Sequence, residues 1–377
     1  MTGRLFLNTV FIGLLLSGCG MALSKESRIS TEKFGEMPDG REIIKYSILN
    51  KLGASIEVIN LGGIIVSMNL PDRDGNLNDI VLGYDNVTQY LRESPYMGAI
   101  VGRYANRIAN GKFSINGELY TLDQNNNKNA LHGGLEGFDK KLWAATPFET
   151  NENAGVKLDL ISEDGDQGYP GNLTVEVTYT FDDQNQLIVN YKATTDKTTV
   201  INISQHSYFN LDGHNSGHIE DHEIMINASQ FTPIDITLIP TGEIATVENT
   251  PMDFRISKPI GEDIDADFKQ LDYGLGYDHN WVLNQNGFAL AAKVYSPFSG
   301  RMMEIYSDQP GIQFYTGNFL DSTSTGKDNF AYPKRSGFCL ETQHFPDSPN
   351  HENFTSTVLN PGETFESKTA FRFSVVK

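Results

Sequence analysis

The chain has 377 residues, of which 39% are hydrophobic and 20% charged, and its formal net charge is −19. A surface this acidic lacks the basic patches that nucleic acid or an anionic membrane requires, and the apolar and aromatic content excludes a disordered acidic tail. Apart from one N-terminal segment, no stretch nears the roughly 18 apolar residues of a spanning helix.

Residues 1–19 place Arg4 before an apolar run from Leu5 to Leu16, followed by Ser17, Gly18 and Cys19. That is the layout of an export signal, and Leu16-Ser17-Gly18-Cys19 resembles a bacterial lipobox whose cysteine becomes the lipidated first residue. We therefore expect a signal peptide over 1–18, lipidation at Cys19 and a small, polar tether over 19–33. Cys339 then has no partner, so no disulfide framework is expected. The expected location is the bacterial cell envelope, held by lipid, with a soluble periplasmic protein as the alternative.

From Phe34 to residue 377 one large domain is expected, because no linker or fixed-period repeat interrupts it. Val87–Arg92 has the period of a short helix. Lys112–Leu122 carries Asn116-Gly117 at its centre, the dipeptide preferred in a type I′ hairpin turn. Leu173–Phe181 alternates apolar and polar residues, and Leu187–Ala193 resumes the pattern after a polar turn, which predicts an antiparallel hairpin. Ile264–Leu271 reads as a second short helix, and Leu290–Tyr295 with Met302–Tyr306 as another hairpin. Many short strands between Gly, Asn, Asp and Pro turns indicate an all-β sandwich or barrel.

Polar residues concentrate in six ordered stretches: Gly102–Ile108, Asn129–Gly134, Asn202–Leu211, Gly276–Trp281, Gly311–Asn318 and Phe338–Gln343. On a strand, Asn202, Ser204, His206 and Tyr208 share one face; so do Gln313 and Tyr315, and so do Cys339, Glu341 and Gln343. A sheet face lined this way suits a polyhydroxylated ligand. His214, His218 and His222 recur every four residues, but the intervening glycines make a loop, and no metal site is expected there. So acidic a chain leaves room for a loop-bound Ca²⁺, although no EF-hand pattern is present.

Taken in order, these six motifs resemble the aldose 1-epimerase (galactose mutarotase) family, from about Phe34 to the C-terminus. The resemblance implies a large antiparallel β-sandwich of the galactose-mutarotase type and interconversion of the α and β anomers of free hexoses. It implies no required cofactor and a neutral monosaccharide as the partner; a monomer is expected. It further implies Glu341 as general base and His206 as general acid, with Asn106, Arg107, His132, Tyr208, Asp278 and Gln313 binding the sugar. The rivals are a lipid-anchored carbohydrate-binding module, an epimerase for hexose 6-phosphates, and a glycoside hydrolase using Asp278 and Glu341 as paired carboxylates.

Overall fold

The computed structural model describes residues 1–2, 27–92, 94–323 and 325–377. The expected signal peptide and Cys19 lie outside these residues. Among the described residues no helix is long and apolar enough to cross a membrane.

Among the described residues, short antiparallel strands build almost everything, with two brief α-helices, Val87–Arg92 and Lys269–Gly274. The largest sheet has nine strands. Its first four are consecutive hairpins, Ala144–Glu149, Asn153–Ser162, Leu173–Asp182 and Gln186–Thr195. Phe365–Val375 then pairs on one side with Gln186–Thr195 and on the other with Arg301–Ser307. Ala289–Tyr295, Glu223–Ile226 and Lys258–Pro259 complete the order. Strict alternation decides which face is buried: Val175, Val177, Tyr179 and Phe181 are sealed, while the residues between them reach partly into solvent.

That buried face packs against two five-stranded sheets. One contains Ile29–Glu36, Glu42–Leu49, Ser55–Ile59, Ile64–Pro71 and Leu77–Asp79 in sequence order. The other runs Ala245–Thr246, Ala228–Thr232, Asp278–Leu283, Gly311–Tyr315, Cys339–Gln343. Ile56, Met68, Val177, Val189, Trp281, Phe314 and Phe371 belong to one contiguous apolar core that joins all three sheets. The architecture is thus the expected all-β sandwich.

Three expectations need correction. Ile29–Glu36 is a strand paired along its length with Glu42–Leu49, and the Arg28 guanidinium binds Asp183 at 2.7 Å. The body therefore begins before Phe34, and the segment 29–33 is not tether; its backbone adds an edge strand although Ser30–Lys33 are exposed. The second helix starts at Lys269, not Ile264, because the preceding residues form turns that close through Asp263 and Ala266. The polar face expected over 201–209 is regular only at Ser204–His206. Its flanks are held by single bridges, Asn202 to Tyr104 and Phe209 to both Val81 and Phe338.

Candidate active site

The three polar motifs nearest the C-terminus are neighbouring strands. In register, Asn280 opposes Gln313 and Gln313 opposes Glu341, while Asp278 opposes Tyr315 and Tyr315 opposes Cys339. Period two puts Asp278, Gln313 and Glu341 on a single face. Gln313 donates to Asp278 Oδ1 at 2.7 Å, and its own Oε1 is buried without a hydrogen-bond partner.

Three shorter elements close over this face. His206 ends Ser204–His206, which pairs with Ala99–Val101. Arg107 pairs with Leu131 in a two-residue ladder, which brings Asn106 beside His132. There the His132 N–H donates to the Asn106 carbonyl at 3.0 Å and the Asn106 N–H donates to His132 Nδ1 at 3.1 Å. An Nδ1 that accepts a hydrogen bond has no proton, so the proton of a neutral His132 sits on Nε2. Gly133 makes the turn feasible: at φ 93°, a Cβ would fall 1.8 Å from the Gly102 carbonyl oxygen.

The result is a cavity of about 410 Å³ lined by Asn106, Arg107, His132, His206, Tyr208, Asp278 and Glu341. Gln313 is absent from the lining and acts on it through Asp278. Tyr208 presents its ring as a wall, 5.2 Å from the His206 ring; its hydroxyl is already donated to the Pro95 carbonyl at 3.0 Å. His206 Nε2 lies 3.6 Å from Glu341 Oε1, and Glu341 Oε2 is buried with no hydrogen-bond partner. Arg107 reaches within 3.9 Å of Asp278 and donates from Nε to Asn126 at 3.2 Å. Sequence reasoning did not anticipate Tyr96, whose ring lies 4.5 Å from that of His132 and 5.8 Å from that of His206. Nor did it single out Ile236, Leu238, Tyr273 and Phe319 around the cavity. Ile236, Leu238 and Phe319 sit in aperiodic loops, and Tyr273 sits in the short helix Lys269–Gly274, where composition carries no signal.

Burial dominates the electrostatics. It pushes the His206 imidazole down to about 4, and it pushes His132 well below the usual histidine range, with His206 and Arg107 adding to the effect. The Glu341 carboxyl moves well above its ordinary value through burial and the nearby Asp278, against the pull of Arg107. Asp278 is raised for the same first reason, burial. The two shifts run in opposite directions, so burial favours a neutral carboxyl beside a neutral imidazole.

His132, His206 and Glu341 offer three ligand atoms within 4.8 Å of one another. They do not suit a resident cation, because the backbone of Asn106 fixes a proton on His132 Nε2, the atom that would have to bind it. His214, His218 and His222 do not converge either. His214 contacts Tyr332 and Asp328, His222 Nε2 accepts the Leu211 N–H, and His218 faces solvent.

Comparison with known proteins gives a consistent result. Residues 45–372 match the family model described as aldose 1-epimerase. The chain is 45% identical over 343 residues to galactose mutarotase of Bos taurus, covering 91% of this chain and 97% of that protein. It is 37% identical over 341 residues to aldose 1-epimerase of Escherichia coli K12, covering 89% and 96%. Among solved structures, a galactose 1-epimerase from Lactobacillus acidophilus superposes with a TM-score of 0.83 at 28% identity, covering 93% of this chain and 99% of that one. An aldose epimerase homologue from C. elegans gives 0.80 at 30% identity, covering 88% and 98%.

Proposed function

Since the chain belongs to the aldose 1-epimerase family, we propose that Glu341 and His206 exchange the anomers of a neutral hexose held in this cavity. The chain is an isomerase, a mutarotase, and the acid/base chemistry of anomer exchange needs no cofactor. The observation that carries the residue assignment is the 3.6 Å approach of His206 Nε2 to Glu341 Oε1, sealed from water beside an unpartnered carboxylate oxygen.

Glu341 takes the proton of the C1 hydroxyl while His206 gives one to the ring oxygen, and the ring opens. The pair then stands as a protonated carboxyl and a neutral imidazole, the form that burial favours. Rotation about the C1–C2 bond exposes the other face of the aldehyde. Closure returns the Glu341 proton to the carbonyl oxygen and moves the hydroxyl proton to His206, restoring the ion pair. Arg107 and the Nε2–H of His132 stabilise charge that develops on the sugar oxygens, and Asp278 accepts from hydroxyls. Arg107 is the one Arg or Lys side chain on the described lining, which supports a neutral hexose such as glucose or galactose over a phosphorylated sugar.

Polarimetry on freshly dissolved α-D-glucose and α-D-galactose tests the roles. Glu341→Gln and His206→Asn should each slow mutarotation by about 10²–10⁴-fold. Near-normal rotation decay in either variant removes that residue from the mechanism.

We further propose export and lipid attachment at Cys19, supported by Arg4, the apolar run to Leu16 and Leu16-Ser17-Gly18-Cys19. Fractionation of cells expressing the full chain and Cys19→Ser decides the point: the anchored protein partitions into detergent and the variant does not. The protein is proposed to act as a monomer.

A further inference from the structure

Asn125 is absent from the cavity lining, and the mechanism above gives it no part. Its side-chain amide nonetheless grips the backbone that carries His132. The Oδ1 accepts the Leu131 N–H at 2.7 Å, while Nδ2 donates to the carbonyls of Leu131 and Gly134, each at 2.9 Å. A third acceptor, the Tyr96 hydroxyl oxygen, lies 3.3 Å from the same nitrogen. A backbone N–H can only donate and a carbonyl can only accept, so these partners settle which end of the amide is oxygen and which is nitrogen.

The arrangement has the form of a strand pairing. Leu131 stands opposite Arg107 in the two-residue ladder. With Asn125 it exchanges both an N–H···O and a C=O···H–N bond, as a residue does with its partner on a neighbouring antiparallel strand. The turn that follows needs such a tie. His132, Gly133 and Gly134 have φ of 50°, 93° and 104°, three left-handed residues in succession, and only the glycines take that region without strain. Leu131 and Gly134 bracket His132 and Gly133, and both of their carbonyls end on one NH2 group. Tyr96 joins the same cluster, since its ring rests 4.5 Å from that of His132.

We propose that Asn125 is a positioning residue: its carboxamide, standing in for a neighbouring strand, holds the His132 turn so that the Nε2–H of His132 faces the sugar. It touches neither the substrate nor the reacting atoms and acts through His132. The inference rests on the reading of His132 as a donor that stabilises charge on the sugar oxygens.

A double-mutant cycle read by polarimetry on α-D-galactose tests it. Asn125→Asp keeps the shape and the acceptor for Leu131, but sets a carboxylate oxygen against two carbonyls. It should lower kcat/KM about 10–100-fold near neutral pH. That deficit against the native protein should shrink as the pH falls toward about 5, because a protonated Asp side chain regains one donor. In a His132→Asn background the same change should cost less than about twofold, since the group it positions is gone. Where Asn125→Asp does not fold, Asn125→Ser, too short to span both carbonyls, takes its place in the cycle. A native rate in either Asn125 variant overturns the proposal, as does an Asp deficit that is flat with pH. Equal cost in both backgrounds overturns it too, for Asn125 then acts on the fold and not through His132. Near-native mutarotation by His132→Asn alone defeats the reading of His132 itself, whereas additive costs strike only the role of Asn125.

Discussion

Arg103 and Arg107 share one short segment, but their guanidinium groups meet different surroundings. Arg103 is sealed behind the site, where it donates to the carbonyls of Ser162, Pro170 and Gly171 and to the Ser162 hydroxyl. Burial lowers it to about 10. Arg103→Met would strand three buried carbonyls, so we expect a loss of about 3 kcal/mol or more in urea unfolding, with the KM for sugar unchanged. Arg107→Met, by contrast, should raise KM and lower kcat with little effect on unfolding. Glu341 and His206 make a second prediction. Below about pH 4 the imidazole gains its own proton while burial favours the protonated Glu341 carboxyl; on the proposed roles no base is then left, and kcat/KM should fall. The acid limb of the pH–rate profile of the free enzyme should therefore lie near pH 4, well below that of an exposed histidine. An acid limb near pH 6.5 would mean that the ring is solvated.

At the level of elements, the site depends on turns more than on strands. His132 follows a two-residue strand, and its ring is aimed by one backbone N–H and by a glycine that accepts φ 93°. Gly133→Ala would place a methyl carbon against the Gly102 carbonyl. We expect about 3 kcal/mol of destabilisation in thermal unfolding, together with a raised KM, because His132 moves with the turn. An unshifted melting midpoint would show that the turn can relax. The strands were readable in advance where one face is apolar: Leu173–Phe181 and Leu187–Ala193 pair as their alternation demands, and Asn116-Gly117 turns the Lys112–Thr121 hairpin. His206, Gln313 and Glu341 could be placed on polar faces for the same reason. Their roles, however, came only from the resemblance of the ordered motifs, since alternation does not state which faces meet. Tyr96 and the Ile236–Leu238 loop were invisible because no period governs them, and the strand Ile29–Glu36 was missed because its exposed, polar composition reads as tether.

For the whole molecule, that first strand fixes where the body begins. It covers the edge of Glu42–Leu49 and is stitched across the sandwich by Arg28 to Asp183 and by the Arg28 N–H to Glu149. Removing residues 1–26 should leave mutarotation and the unfolding midpoint unchanged. Removing 1–36 should lower the midpoint and expose an unpaired edge prone to aggregation, seen as light scattering on warming. Equal stability of the two truncations would show that the strand contributes nothing to the body. The site itself draws on segments from Pro95 to Glu341, so sugar binding reports on packing across much of the chain at once.

The place of Phe365–Val375 has a consequence for how the molecule comes into being. This eleven-residue strand is made after both of its partners, yet it fills an interior slot of the nine-stranded sheet between them. Until it emerges, Gln186–Thr195 and Arg301–Ser307 have no common neighbour, and the core between the sheets stays open. Hydrophobic closure between those two strands therefore waits for Phe365–Val375. A chain halted before Phe365 lacks the one strand that joins the two halves of this sheet.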